Sequence, residues 1–126
     1  MAIFNRNDLL AQTLQGLANM DTADLDWKLI LADNAGNAET ARLSESFSAL
    51  IPIKYIVEKA PGKNNALNSA LVHADGDLII FTDDDVIPDP AWIKELADVA
   101  DRWQDTDLFG GRFLPKYPAG NCSIDR

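Results

Sequence analysis

The stretch DLIIFTDDD at residues 77–85 places four consecutive apolar residues and one threonine before three consecutive aspartates. A short apolar run of this kind is typical of a buried strand, so we predict a strand over residues 77–82. Neighbouring carboxylates repel each other, by roughly 1–3 kcal/mol per pair at about 6 Å. A fold tolerates this repulsion most readily where a cation binds, although a solvated acidic turn is the alternative interpretation.

Strand and helix patterns alternate on both sides of this stretch. Residues 2–4 are interpreted as the last residues of a strand, and apolar runs predict further strands over 27–31, 53–57 and 108–114. This alternation predicts an α/β fold, with a three-layer, mostly parallel, Rossmann-like sheet flanked by helices. Both ends of the pattern read as incomplete, so we expect residues 1–126 to form one partial domain.

The predicted helices share apolar residues spaced three or four apart. The first covers residues 7–20 with Asn7 as its N-cap, and Asp89-Pro90 marks the start of the last. The apolar positions of the other helical segments are Leu43, Phe47 and Leu50, then Ala66 to Ala74, then Trp92, Ile93, Leu96 and Trp103. We interpret the two tryptophans as core anchors.

Ligands of open parallel sheets bind outside the carboxyl ends of the strands. Polar residues follow four of the predicted strands, at Asn5-Arg6, at Asp33-Asn34, at Lys59 to Asn65 and at Asp83-Asp84-Asp85. We therefore expect these loops to converge on one edge of the sheet and to form the candidate site there.

The aspartate triplet contains the pattern Asp-x-Asp. In extended backbone Asp83 and Asp85 would point the same way and offer oxygen ligands to one ion. Mg²⁺ or Mn²⁺ suits such a pair, because these ions take one or two carboxylates and complete their shell with water and phosphate.

The other polar loops carry weaker signals when each is taken alone. Asp33 to Asn37 has a plain interpretation as a turn and helix cap, but its alignment with the triplet favours a carboxylate that binds a base or ribose. Lys63 at a helix start could approach a diphosphate. Asn68, one helical turn further on, is interpreted as a solvated residue. We assign no functional role to His73.

Composition excludes several classes of protein. Lys and Arg number 11 against 20 Asp and Glu, and the formal net charge of −9 argues against nucleic acid as a partner. The apolar runs are too short for a transmembrane segment, and no signal-peptide pattern begins the chain. The single Cys122 excludes an internal disulfide. We expect a cytoplasmic protein, with the full-length form peripheral at the inner membrane face as a second option.

The ordered motifs together resemble family 2 glycosyltransferases with the GT-A fold. The resemblance covers nearly the whole chain. The matching segments are Asn5-Arg6, Leu29 to Asn34, Gly62 to Asn68, Ala74 to Asp77, Phe81 to Asp85, Pro88 to Pro90, Trp92 and Gly110-Gly111.

The resemblance implies transfer of a sugar from a nucleoside-diphosphate donor, with a UDP-sugar expected, to a glycan, lipid or protein acceptor. It implies Mn²⁺ or Mg²⁺ as cofactor, with Asp85 as a ligand and Asp83 facing the ribose or the metal. Asp33 would contact the nucleobase. The remaining residues expected to bind the nucleotide-sugar are Asn5, Arg6, Lys63, Asn68 and Asp84.

The acidic motif that supplies the family's catalytic base has no match in this sequence. We therefore expect a donor-binding portion that does not turn over alone. One alternative is a non-catalytic nucleotide-binding or assembly module of the same fold. A haloacid-dehalogenase-type phosphohydrolase is another, although Ile87 stands where that class carries Thr.

Overall fold

The computed structural model describes residues 1–116, in which three parallel strands alternate with helices. The sheet has the order β1-β2-β3 and four helices flank it, which confirms the predicted α/β class. The elements are β1 (Ala2–Ile3), α1 (Asn7–Ala18), β2 (Leu29–Asp33), α2 (Ala38–Phe47), β3 (Ile53–Val57), α3 (Lys63–Leu71) and α4 (Trp92–Arg102). Within this described part, no helix is both long and apolar enough to cross a membrane.

The strand register aligns the carboxyl ends of the three strands. Ile3 lies beside Asp33, and Asp33 lies beside Val57. Since the strands are parallel, the loops after β1, β2 and β3 leave the sheet on the same side. The fold therefore places three of the four predicted polar loops at one edge.

The two faces of the sheet bury different side chains because successive residues of a strand point to opposite faces. One face carries Ile3, Leu29 and Leu31, which pack with the apolar stripe of α1. On the other face, Ala32 packs against Ala66 and its neighbours on α3. The small residues let α3 approach the sheet closely.

Several predicted boundaries shift by a few residues. β2 begins and ends two residues later than the predicted strand over 27–31, so that Asp33 belongs to the strand. Asn7 is the first residue of α1 and not its N-cap; its Oδ1 accepts a hydrogen bond of 2.8 Å from Thr40 Oγ1 on α2. The side chain of Asn7 thus joins the two helices instead of capping one.

Two predicted strands are wrong. Residues 77–82 and 108–114 form no strand, and Phe81 remains 57% exposed. A strand requires a neighbouring strand with which to pair. The edge strand β1 is only two residues long, and it pairs with β2, so it gives residues 77–82 little backbone with which to pair. Trp92 packs against the core as predicted, but Trp103 is 64% exposed and is not a core anchor. Cys122 lies outside the described residues.

Candidate functional site

Arg6 brings the first polar loop to the aspartate triplet. It follows Asn5, whose positive φ of 51° turns the chain sharply after β1. The Arg6 guanidinium lies 3.1 Å from Asp84 Oδ1 and 2.7 Å from Asp85 Oδ2. The hydrogen bond to Asp85, together with the charges of the triplet, raises the pKa of Arg6. One cation therefore offsets two of the three adjacent carboxylates.

Asp84 is the buried member of the triplet. Its exposed fraction is 5%, and burial raises the pKa of its carboxyl while Arg6 opposes that rise. Its backbone carbonyl accepts a hydrogen bond of 2.9 Å from the buried Thr13 hydroxyl on α1. Asp84 therefore anchors the loop in the protein and leaves its two neighbours facing solvent.

Lys63 supplies a second cation to the triplet. Its Nζ lies 2.5 Å from Asp83 Oδ1, and both side chains are about half exposed. Lys63 is the first residue of α3, and Gly62 before it has a φ of 118°, a conformation that strains any residue with a Cβ. The glycine thus permits the turn that directs Lys63 towards Asp83.

Asn34 holds the loop that carries Lys63. Its Nδ2 donates hydrogen bonds to the carbonyls of Glu58 at 2.9 Å and Ala60 at 2.7 Å, and its Oδ1 accepts one from Gly62 N–H at 2.6 Å. Ser69 also donates to the carboxylate of Glu58, and this bond lowers the pKa of that carboxyl. The loop between β3 and α3 is therefore fixed from both ends.

Asp33 is fully buried, and three hydrogen bonds satisfy its carboxylate. Ala35 N–H donates to Oδ1 at 2.8 Å, while Asn37 N–H at 2.9 Å and the Tyr55 hydroxyl at 2.6 Å donate to Oδ2. Burial and this bond to Asp33 raise the pKa of Tyr55. The Asn37 side chain then donates to Asn5 Oδ1 at 3.3 Å, which links this loop to the loop after β1.

The structure brings most of the predicted site residues to one edge of the sheet. Ion pairs join Arg6 and Lys63 to the triplet, while a separate hydrogen-bond network connects Asp33 with Asn5. Asn68 is exposed on α3, and within residues 1–116 no hydrogen bond joins its side chain to either group. The predicted convergence of the loops is thus present, with Asn68 outside it.

The expected extended backbone of the triplet is not found. Asp84 and Asp85 lie in a turn, because the segment before them pairs with no strand. As a result, Asp83 and Asp85 bind different cations, Lys63 and Arg6, instead of sharing one. Their predicted role as metal ligands remains a prediction.

Asp83 and Asp85 offer a divalent ion carboxylate oxygens, but in this structure the two side chains pair with separate cations. The side chains of Asp83 and Asp85 are 50% and 40% exposed, and each already holds a positively charged group. Among the described residues, no group of three or more His, Cys, Asp or Glu side chains is arranged for a metal. Two carboxylates with water and phosphate are a shell that Mg²⁺ and Mn²⁺ accept.

Sequence reasoning missed two polar residues that support the site. Thr13 lies within the apolar stripe of α1 and is 1% exposed, so a buried polar group in that stripe was the available signal. Tyr55 lies opposite Leu31 in the parallel register and therefore shares a face with Asp33. Alternation puts these two side chains on one face only once the register of β2 and β3 is known, so the sequence pattern offered no signal for Tyr55.

Comparison with protein families gives one match over almost the whole chain. The sequence profile described as "Glycosyl transferase family 2" matches residues 1–122. The matched residues include every polar loop described above.

Individual relatives match at lower identity. "Chondroitin synthase" from Escherichia coli is 28% identical over 111 residues, covering 86% of this chain and 16% of that protein. "Validoxylamine A glucosyltransferase" from Streptomyces hygroscopicus subsp. limoneus is 27% identical over 95 residues, or 74% of this chain and 21% of the relative. "Uncharacterized glycosyltransferase YfnE" from Bacillus subtilis is 32% identical over 85 residues, with coverages of 67% and 21%. The chain thus spans about a fifth of these relatives' length.

Proposed function

Because the chain belongs to glycosyl transferase family 2, we propose that it is the donor-binding part of a metal-dependent glycosyltransferase. The donor is a nucleoside-diphosphate sugar, with a UDP-sugar expected, and the acceptor is a hydroxyl of a glycan, lipid or protein. The observation that carries this proposal is the pairing of Arg6 and Lys63 with the triplet at the carboxyl edge of the sheet.

The charges of this cluster suit a diphosphate accompanied by a cation. Asp83 and Asp85 would hold Mn²⁺ or Mg²⁺, and such an ion supplies positive charge that stabilises a departing nucleoside diphosphate. Lys63 and Arg6 would turn from the carboxylates towards phosphate oxygens, since both side chains are about half exposed. Asp84 would stay buried and keep the loop in place.

The loop after β2 would lie on the nucleobase side of the site. Asp33 has no exposed surface, so a contact between its carboxylate and a base requires the Asn37 segment to move. Asn5, which Asn37 contacts, lies on the same side. Asn68 would support the nucleotide loop from α3.

None of the four carboxylates at the candidate site receives the role of catalytic base. Each aspartate of the triplet is engaged by Arg6 or Lys63, and Asp33 is buried. We therefore expect this chain to bind donor and metal without turning over alone. The non-catalytic nucleotide-binding module remains the alternative that an experiment must separate. For the phosphohydrolase, Ile87 still occupies the position of the required hydroxyl.

Calorimetric titration of the chain with UDP, with and without Mn²⁺, tests the proposal. We expect UDP to bind in the presence of Mn²⁺, and Asp85→Asn to remove the metal-dependent part of that affinity. Asp98→Asn is the matched control, because Asp98 is exposed on α4 away from the cluster. Binding that is indifferent to both Mn²⁺ and Asp85→Asn would favour the non-catalytic module, and hydrolysis of a phosphate ester would favour the phosphohydrolase.

A further inference from the structure

The loop over residues 83–90, here called the acidic loop, is seated along one side of α1. Thr13 Oγ1 donates a hydrogen bond of 2.9 Å to the carbonyl of Asp84. One turn later, Gly16 lies against Pro88. Beyond the end of the helix, the Asp21 N–H donates a hydrogen bond of 2.8 Å to the carbonyl of Pro90. A helix, and not a strand pairing, therefore determines where the acidic loop lies.

Gly16 sets how closely the acidic loop approaches α1. A Cβ at this position would lie 2.7 Å from Pro88 Cδ and 3.4 Å from Ile87 Cγ2. The proline ring cannot swing aside as a flexible side chain would, so the loop backbone would have to shift. Glycine weakens a helix interior relative to alanine, and close packing against Pro88 gives a reason for its presence here.

Thr13 sets the position of the triplet along the helix. Its side chain is 1% exposed, and its hydroxyl contacts the backbone of the one aspartate that is buried. Asp84 in turn lies between the two exposed aspartates that pair with Lys63 and Arg6. A displacement of Asp84 would consequently change both of those distances.

We propose that Thr13 and Gly16 are positioning residues for the site. They hold the acidic loop so that the side chains of Asp83 and Asp85 stay beside Lys63 and Arg6 at the carboxyl edge of the sheet, where the donor diphosphate would bind. This inference rests on the proposed function for the identity of the ligand. The position of the acidic loop against α1 is supported independently by the contacts of Thr13 and Gly16.

The first test removes the hydroxyl and keeps the shape. Thr13→Val should weaken binding of UDP with Mn²⁺ by at most roughly tenfold, because the hydrogen bond that positions Asp84 contributes no more than that to holding the binding geometry. Thr13→Ser restores the hydroxyl and should recover most of the affinity. Thr40→Val is the matched control for loss of a buried hydroxyl, since Thr40 is equally buried and its hydroxyl bonds Asn7 and no atom of the acidic loop. The control should lower the thermal midpoint without lowering the affinity.

The second test separates loop position from stability. Gly16→Ala gains helix propensity but forces the acidic loop away from α1, so binding of UDP with Mn²⁺ should weaken more than the change in the thermal midpoint explains. Gly110→Ala is the control, because a Cβ there meets nothing within 4 Å. Unchanged affinity in both Gly16→Ala and Thr13→Val, with wild type binding, would overturn the positioning role.

A spectroscopic readout keeps the two proposals distinguishable. In ¹H–¹⁵N spectra without ligand, Gly16→Ala and Thr13→Val should shift the amide signals of Asp83 to Asp85, and Gly110→Ala should not. If wild type binds neither UDP nor Mn²⁺, the proposed function fails while these shifts still support the seating. If the amide signals of residues 83–85 do not respond, the seating is wrong whatever the binding result.

Discussion

The guanidinium of Arg6 lies 3.1 Å from the carboxylate of Asp84, the one aspartate of the triplet that the fold buries. This pair joins the end of β1 to a loop 78 residues further along the chain. A buried carboxylate with a raised pKa resists ionisation, and the neighbouring cation makes its charged form tolerable. The contact therefore contributes to both the fold and the charge balance of the site.

Arg6→Met should destabilise the protein more at about pH 7 than at about pH 4. Burial already raises the folded-state pKa of Asp84, and removing Arg6 raises that pKa further. The carboxyl of Asp84 in the unfolded chain titrates at about 3.9. Above that pH the free energy of unfolding therefore falls, because ionising Asp84 is less favourable in the folded state. Urea denaturation at the two pH values measures the difference. Arg102→Met on α4 is the control, and an equal loss for Arg6→Met at both pH values would contradict the pairing.

Tyr55→Phe should lower the free energy of unfolding by about 1–2 kcal/mol near pH 8, because Asp33 loses a hydrogen bond to its charged form. Since the pKa of Tyr55 is raised, the folded state keeps its proton where the unfolded state loses it. The difference in free energy of unfolding between wild type and Tyr55→Phe should therefore shrink as the pH rises above about 10. Denaturation series at pH 8 and pH 11 test the point, and a stability difference that grows with pH would contradict it.

Lys63→Met should have opposite effects on two ligands. Removing its Nζ from Asp83 relieves repulsion with a metal ion, so the affinity for Mn²⁺ alone should rise. The affinity for UDP in the presence of Mn²⁺ should fall roughly three- to tenfold, as expected for a partly exposed charge–phosphate contact. Titrations with each ligand measure both effects. Lys54→Met at the far end of β3 is the control, and a change of the same sign for both ligands would refute the assigned role.

Asn34→Ala should free the loop between β3 and α3. The substitution removes three hydrogen bonds, two of them exposed so that water can replace the lost partner, at a cost of about 1 kcal/mol. Hydrogen exchange of the Gly62 amide should accelerate more than exchange in the core of β2. Asn64→Ala in the exposed first turn of α3 serves as the control, and an unchanged Gly62 amide would show that the loop holds itself.

The strand over 53–57 is predicted with the bounds it has in the structure, since its apolar pattern and its flanking residues agree. The predicted bounds of β2 are two residues too early, because Asp33 is of a residue type common in turns. Its burial depends on Tyr55 from the neighbouring strand, a partner that local periodicity does not reveal. The run 77–82 has the composition of a strand but lacks a pairing neighbour, and pairing is a property of the sheet.

The site is predictable to the level of which loops meet, because parallel topology places strand ends together. Which cation faces which carboxylate is not predictable from spacing. That pairing depends on the turn at Asp84 and Asp85 and on the helix contacts of Thr13 and Gly16. The sequence pattern therefore predicts that Arg6, Lys63 and the triplet lie at the carboxyl edge of the sheet. The direction in which each side chain points depends on tertiary contacts.

Paramagnetic broadening by Mn²⁺ in the presence of UDP tests the central claim most directly, because it locates the ion on the chain. The account predicts that the amide signals of Arg6, Gly62 and Asp83 to Asp85 broaden first, while those of Lys54, Asp98 and Asp101 stay sharp. Broadening centred on Asp98 and Asp101, or no broadening near the triplet when UDP is present, would contradict it.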